Sequence, residues 1–261
     1  AKEAPPWPGR TTMPRLAIAE AFVDDARVAA CEDDLFGALA QSCEQMKVRF
    51  FALTHHVDFT SANPQGVRLH NYPRSWQDWF DQNRLGRSDP IHRASHVANN
   101  GFPWSRVHDM IKMTPSDLSV FSQAQLVGIG DGFTVPAHVP GEMNGSCSFA
   151  VGAGQMFPED LQYVAQLVGG FAFEAARRIS HARDIWADPR PTLTDRQRDC
   201  VLWAARGKTD WEIAVILGIS HETVIQHLKH ARERYGVSKR AMLAVRALFD
   251  GLICFGDILR P

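Results

Sequence analysis

The chain has 261 residues and nearly balanced charge, 28 Lys+Arg against 29 Asp+Glu, which excludes a uniformly basic nucleic-acid coat and makes any basic surface local. That length suits a larger domain plus a smaller one. Five cysteines, Cys31, Cys43, Cys147, Cys200 and Cys254, are odd in number, scattered and without paired metal-ligand spacing, so a reduced compartment is expected.

The N-terminus has no basic region ahead of an apolar signal core, and no later apolar run approaches the roughly 18 residues needed to span a bilayer. The expectation is a cytoplasmic protein with no membrane partner. Residues 1–15 hold Pro5, Pro6, Pro8, Gly9 and Pro14 without apolar periodicity; they read as a disordered tail or leader, with Met13 a candidate natural start.

Two helices come next, roughly 16 to 30 and 33 to 46, the second with Leu35, Leu39, Cys43 and Met46 at turn spacing. "VRFFALTHHV", from Val48, reads as a strand rich in β-branched and aromatic residues, and "VRLH", from Val67, as a partner across a Pro/Gly-containing loop. "YPRSWQDWFDQNRLGRSDP" opens a helix at Pro73 that runs to about Leu85 with Trp76, Trp79 and Phe80 on one side, and ends in Asp89-Pro90. Further helices are expected from Pro90 to about Val97 and from Ser116 to Val127, the latter started by Pro115, Ser116 and Asp117. "DGFTVPAHVP" and "GSCSFAVGA" look like two strands, bent or interrupted at Pro136 and Gly145. A long amphipathic helix from Glu159 to about Ile185 carries Leu161, Val164, Leu167, Val168, Phe171 and Ala175. The sum is a mixed sheet flanked by helices over residues 16–187. "ADPRPT", residues 187–192, is the strongest linker signal, with the linker itself placed at 188–192.

Residues 193–261 carry no strand signal and fit four short helices. Thr194 with Gln197, and Thr209 with Glu212, form capping-box patterns, and the helices they open stop at Gly207 and Gly218. A third helix starts at Ser220 after a two-residue turn. That is the arrangement a helix-turn-helix needs, with Ile219, Val224 and Leu228 holding the third helix and its outer face left for a major groove. From Ser220 to Arg240 five Lys or Arg stand against two acids. A small helical interaction domain with a solvated basic face is the alternative.

"LTDRQRDCVLWAARGKTDWEIAVILGISHETVIQHLKHARERYGV" resembles the DNA-binding domain of LuxR-type quorum-sensing regulators, in its Leu-Thr start, Gly-Lys-Thr turn, Glu-Ile-Ala and Thr-Val-x-x-His-Leu. The resemblance implies base contacts from Ile225 and Lys229, with Thr223, Gln226 and His227 close to the groove and Lys208 in the turn also assigned to DNA. Gln197 stands where the family usually has Glu, and Ile225 where Lys or Arg is common. Ile225 cannot make a bidentate contact to guanine, so readout would shift to Lys229, Gln226 or apolar contact with thymine methyls.

The N-terminal region is similar to the acyl-homoserine-lactone-binding domain of the same family. Tyr72, Trp76 four residues later, Asp89 thirteen further on and Trp104 fifteen after that carry the likeness, and "GFTVPAHVPGEMNGSCSFA" puts Ser148 at the family's pocket hydroxyl. The implied fold is α+β: an N-terminal α-β-α sandwich around an antiparallel sheet, with a C-terminal all-α four-helix helix-turn-helix domain. The implied roles match donor to acceptor: the Trp76 indole N–H for the lactone carbonyl, Asp89 for the amide N–H, and the Tyr72 and Ser148 hydroxyls for the acyl carbonyl. Trp104 and Phe80 would wall the ring and tail, Phe80 standing where Tyr is usual. No cofactor is expected. The implied partners are an autoinducer, two-fold-related operator DNA, a second copy of the chain joined through the N-terminal domain and the helix from Ser238 to about Leu252, and RNA polymerase as a further candidate.

Each residue also has a plainer role: core aromatics for the tryptophans, a helix N-cap for Asp89. Three other functions compete: a regulator without a cognate synthase that answers a non-lactone molecule, a ligand-independent regulator, and a lactone-processing enzyme. The last has little support. Adjacent His55 and His56 in a strand point to opposite faces and cannot readily share one ion, and "NGSCSF" lacks the Gly-x-Ser-x-Gly elbow. No catalytic or metal-binding residue is assigned.

Overall fold

The computed structural model describes residues 15–60, 66–140, 142–182 and 191–259. The readings of residues 1–14 and of 188–190 in the expected linker lie outside them. The chain divides into two compact units, with the main change at 186/187.

In the first unit, α1 (Leu16–Val28) and α2 (Glu32–Met46) form an early helical pair. The Asp34 carboxylate accepts from the backbone N–H groups of Ala30 at 2.9 Å and Cys31 at 3.2 Å, which starts α2 and holds the Asp34 pKa below the usual carboxylate range. The chain then enters β1 (Phe50–His55), which pairs with β2 (Arg68–His70). Three helices follow: α3 (Arg74–Gln82), α4 (Pro90–Ser95) and, beyond the two-residue β3 (Phe102–Pro103) and a 3-10 turn at Trp104–Arg106, the short α5 (Val107–Met110). α6 (Pro115–Leu126) starts at a capping box, in which Thr114 accepts from the Asp117 N–H while Asp117 accepts from that of Thr114. The hairpin β4 (Ile129–Ala137) and β5 (Gly145–Gly152) leads into α7 (Gln162–Ala182). The stretch 183–185, expected to extend α7, lies outside the described residues.

The sheet runs β2-β1-β5-β4-β3. Every pairing is antiparallel, which corrects the mixed sheet implied by the residue pattern. The short link between β4, ending at Ala137, and β5, starting at Gly145, has no room for the crossover that parallel strands require. Pro136 does not interrupt β4: it pairs with Ser146 inside the ladder. β3 reaches only Phe133 and Thr134, so at Pro136 one side of β4 has no strand to receive a donor. The irregularity falls instead between Ile129 and Gly132. A Cβ on Gly130 would sit 2.2 Å from the Gly152 carbonyl oxygen, so this close passage of two backbones needs glycine.

Strand alternation divides the sheet into two unlike faces. Phe51, Leu53, Phe133, Val135, Cys147 and Phe149 bury against α1, α2 and α7, joined by Phe22, Leu35 and Leu39. Each such side chain contributes roughly 1.5–3 kcal/mol of burial. α7 supplies Ala165, Val168, Ala172, Ala176 and Ile179 at helical period, and its Arg178 donates to the carbonyls of Ala26 and Ala29, both at 2.8 Å, satisfying the end of α1. The opposite face carries the row Ala52, Ser148, Thr134 under α3 to α6. This α-β-α layering is the expected one.

The second unit has its own core of Cys200, Val201, Ile213, Val224, Leu228, Ala231, Leu243, Ala247 and Ile253. Both expected capping boxes are present, Thr194 with Gln197 at the start of α8 (Asp195–Ala205) and Thr209 with Glu212 at that of α9 (Asp210–Leu217). α9 stops at Gly218, whose φ of 63° is left-handed. Two residues on, α10 (His221–Arg234) begins with the Ser220 hydroxyl accepting from the Thr223 N–H. α11 (Arg240–Phe249) is shorter than expected at both ends, and a short α12 (Phe255–Leu259) adds to the four expected helices.

Candidate ligand cavity and nucleic-acid interface

The aromatic stretch on α3 faces the cavity side of the sheet. Trp76 is buried, stacked on Trp79 at 5.5 Å and tilted against Phe80 at 6.0 Å. The helix ends at Gln82, earlier than expected, because the chain turns through left-handed Arg84, with φ 51°, and Gly86. A Cβ on Gly86 would lie 2.1 Å from the Val57 carbonyl oxygen. This turn delivers Asp89 to the start of α4. There Oδ1 accepts from the Ile91 N–H at 2.7 Å and the His92 N–H at 3.1 Å, so Asp89 is the N-cap that its position before Pro90 suggested. Oδ2 has no hydrogen-bond partner among the described residues.

Across the cavity, the Trp104 indole donates to Thr134 Oγ1 at 2.8 Å, and Thr134 Oγ1 lies 2.8 Å from Ser148 Oγ. An indole N–H only donates, so Thr134 accepts there and its own proton can pass to Ser148. The Ser148 proton is then left for the cavity. Trp104 was expected to serve as a wall, and its polar role in this chain was not legible in spacing. The Tyr72 hydroxyl has no partner among the described residues; burial, then the charge of Asp89, raises its pKa, so it remains a donor.

Tyr72, Trp76, Phe80, Asp89, Trp104 and Ser148 all line one cavity. A second space adjoins it and shares Ala52, Thr54, Tyr72, Trp76, Phe80 and His92. The structure therefore brings together all six residues singled out for the N-terminal site.

A histidine group beside the cavity went unnoticed in the sequence. His56 lies 2.9 Å from His96 through Nδ1 and 2.9 Å from Ser146 Oγ through Nε2, and stacks on His92 at 3.9 Å. Burial, reinforced by His92 and His96, drives its pKa far down. Its partners stand 40 and 90 residues away, so no local motif announces them. The Ser146–His56 pair has the contact of a nucleophile with its base, but Ser146 is 1% exposed and lines neither cavity. His55 turns the other way, edge-on to Phe173 of α7 at 5.2 Å. Among the described residues no three His, Cys, Asp or Glu side chains are placed to hold one metal ion.

In the second unit, Val224, Leu228 and Ala231 bury one side of α10. Ile225, Gln226 and Lys229 project from the other. Thr223 and His227 are half-buried, and the Thr223 hydroxyl lies 2.9 Å from Ser220 Oγ in the cap. Lys229 is paired with Glu233 at 3.9 Å, and Lys208 with Glu212 at 3.3 Å; exposed pairs of this kind are weak enough to yield to a phosphate. Arg240 of α11 binds Asp210 and the Lys208 carbonyl, fixing the turn between α8 and α9. Trp211 lies exposed and stacked on His221 at 4.1 Å.

Residues 32–176 match the autoinducer binding domain, and residues 191–247 the LuxR family of bacterial regulatory proteins. The HTH-type transcriptional regulator y4qH of Sinorhizobium fredii is 30% identical over 70% of this chain, the match spanning 56% of that protein. The HTH-type quorum sensing-dependent transcriptional regulator RpaR of Rhodopseudomonas palustris is 31% identical over 85% of this chain and 98% of its own. Escherichia coli SdiA has the same fold, with a TM-score of 0.66 at 22% identity over 94% of this chain and 99% of that one. SdiA in complex with octanoyl-rac-glycerol gives 0.67 at 20% over the same shares. Two domain matches in this order, over a fold that carries both, make the chain a member of the LuxR family of quorum-sensing transcriptional regulators.

Proposed function

We propose that this regulator binds an N-acyl-homoserine lactone in the cavity beneath α3 and, as a cytoplasmic homodimer, binds two-fold-related operator DNA through α10. The observation that carries the ligand assignment is the lining of one cavity by Tyr72, Trp76, Phe80, Asp89, Trp104 and Ser148. The lactone offers a ring carbonyl, an amide N–H and an acyl carbonyl; the cavity answers with the Trp76 indole, Asp89 Oδ2, and the hydroxyls of Tyr72 and Ser148. Trp104 and Phe80 would wall the ring and the first carbons of the tail.

On the DNA side, Lys229 and Gln226 would read base edges, Ile225 would meet a thymine methyl, and Lys208 would take a phosphate. Thr223 and His227 would support the helix in the groove rather than lead the readout. Two apolar stripes support dimerisation: Tyr163, Leu167 and Phe171 along α7, and Met242, Val245 and Phe249 along α11, all exposed. A two-fold pair of α10 helices would then face successive half-sites.

Thermal melting of the full chain tests the ligand. A lactone at a hundredfold over its Kd should add about 2.7 kcal/mol, a rise of roughly 5–10 °C. Equal melting with and without saturating lactone would defeat the assignment. Octanoyl-rac-glycerol is the control ligand: stabilisation by it alone would favour a regulator of non-lactone acyl molecules, for which Phe80 in place of the usual Tyr is the motivating residue.

A further inference from the structure

Val120, Ala124 and Ile129 are buried and back the head-group cavity, so an acyl chain leaving it would pass the shared Tyr72, Phe80 and His92 into the outer cavity. The exposed lining of that outer space is mostly apolar, from Ala52, Val57, Phe59, Trp76 and Phe80, with a few polar groups set into it. Beside the ring of Phe59 it presents Gln77, His70 and Arg68. The Gln77 carboxamide is half-buried and makes no hydrogen bond with any described residue. His70 Nδ1 accepts from the Tyr72 N–H at 3.2 Å, which fixes the ring proton on Nε2 as a donor. Burial, then the charge of Arg68, lowers the His70 pKa and keeps the ring neutral. Arg68 is itself paired with Asp81 at 2.9 Å and lies over Phe59 at 5.1 Å. At the neck, His92 donates from Nδ1 to the Gly86 carbonyl at 2.9 Å, leaving Nε2 as an acceptor.

We propose that this outer cavity prefers an acyl group ending in a neutral hydrogen-bonding function, a hydroxyl reached by Gln77 and the His70 N–H beside the Phe59 ring, over the unsubstituted alkyl tail of the same length. The inference rests on the lactone assignment above. A plain alkyl tail would offer Gln77 and His70 no hydrogen bond, and one neutral hydrogen bond corresponds to about threefold to tenfold in affinity.

The test is titration of the full chain with butanoyl-, hexanoyl- and octanoyl-homoserine lactone, each against its terminally hydroxylated counterpart, read by tryptophan fluorescence and calorimetry. At the length that reaches Gln77, the hydroxylated ligand should bind about threefold to tenfold more tightly. Gln77→Leu should abolish or reverse that ratio, with His70→Phe as a second variant acting through a different side chain. Alkyl tails binding as tightly as hydroxylated ones at every length, or a ratio unmoved by both variants, would overturn the tail assignment while leaving the lactone site intact. Failure of every lactone to bind would overturn both.

Discussion

Replacing Asp89 by asparagine separates the cap made by one carboxylate oxygen from the ligand contact proposed for the other. Oδ1 accepts from the N–H groups of Ile91 and His92 at 2.7 and 3.1 Å, a cap that asparagine performs about as well as aspartate, so the ligand-free protein should change by only a few tenths of a kcal/mol. Alanine instead leaves two backbone donors without their acceptor at a buried site, and should cost about 1–3 kcal/mol. The ligand distinguishes the variants differently. In Asp89→Asn the second atom becomes an NH2 facing the amide N–H of the lactone, donor against donor, and a charge-assisted bond is lost. That is about 1.5–3 kcal/mol, or roughly tenfold to 150-fold in Kd. Urea melts of the ligand-free proteins and lactone titrations of all three read the two effects apart. If Asn melted as low as Ala, the cap would not reside in Oδ1; if Asn bound lactone within about threefold of the parent, Asp89 would not be the amide acceptor.

Two further outcomes follow from particular groups. His56 is buried and its pKa is lowered, first by burial and then by His92 and His96, so below its unfolded pKa of about 6.5 the unfolded chain binds a proton that the native state refuses. Stability should therefore fall as pH drops, by about 1.3 kcal/mol from pH 7.5 to 5.5 for His56 alone, and His70 and His96, also lowered, act with the same sign. His56→Gln should flatten that slope whatever its absolute stability, and an unchanged slope in chemical denaturation would exclude His56 as its source. Lys229→Ala should leave the melting profile intact, because the residue is exposed and only loosely paired with Glu233. It should weaken specific operator binding by about 1–3 kcal/mol, and unchanged affinity at fixed salt would remove Lys229 from the readout.

Much of this architecture was legible because local chemistry and tertiary structure agree. The capping boxes at Thr194 and Thr209 and the left-handed Gly218 appear where their residue types placed them, since each is satisfied within one turn of helix. The six cavity residues were legible only through family spacing, which carries long-range information that periodicity does not. Three features were out of reach for a physical reason. The bulge at Gly130 depends on a backbone 22 residues away, and the tolerance of Pro136 depends on where a neighbouring strand ends. The Ser146–His56–His96 chain joins residues from β5, the loop after β1 and the end of α4. Asp89 shows a different limit. Cap and ligand acceptor were posed as rivals, whereas a carboxylate has two oxygens, and here Oδ1 makes the cap while Oδ2 is left for the proposed ligand.

The two faces of the sheet explain why ligand and fold should be coupled. Toward α1, α2 and α7 the strands present Phe51, Leu53, Phe133, Val135 and Phe149, a core complete in itself. Toward α3 and α6 the same strands present Ala52, Thr54, Thr134 and Ser148, small or hydroxylated side chains beside the cavity. On that side Oδ2 of Asp89 and the Tyr72 hydroxyl have no partner among the described residues. A lactone would supply the missing hydrogen bonds, so its binding energy would appear as stability of the sensor unit. The helix-turn-helix has a separate core around Val201, Ile213, Val224 and Leu243. Control of DNA binding by ligand would then act through how much sensor unit is folded and able to pair, rather than through any change within α10.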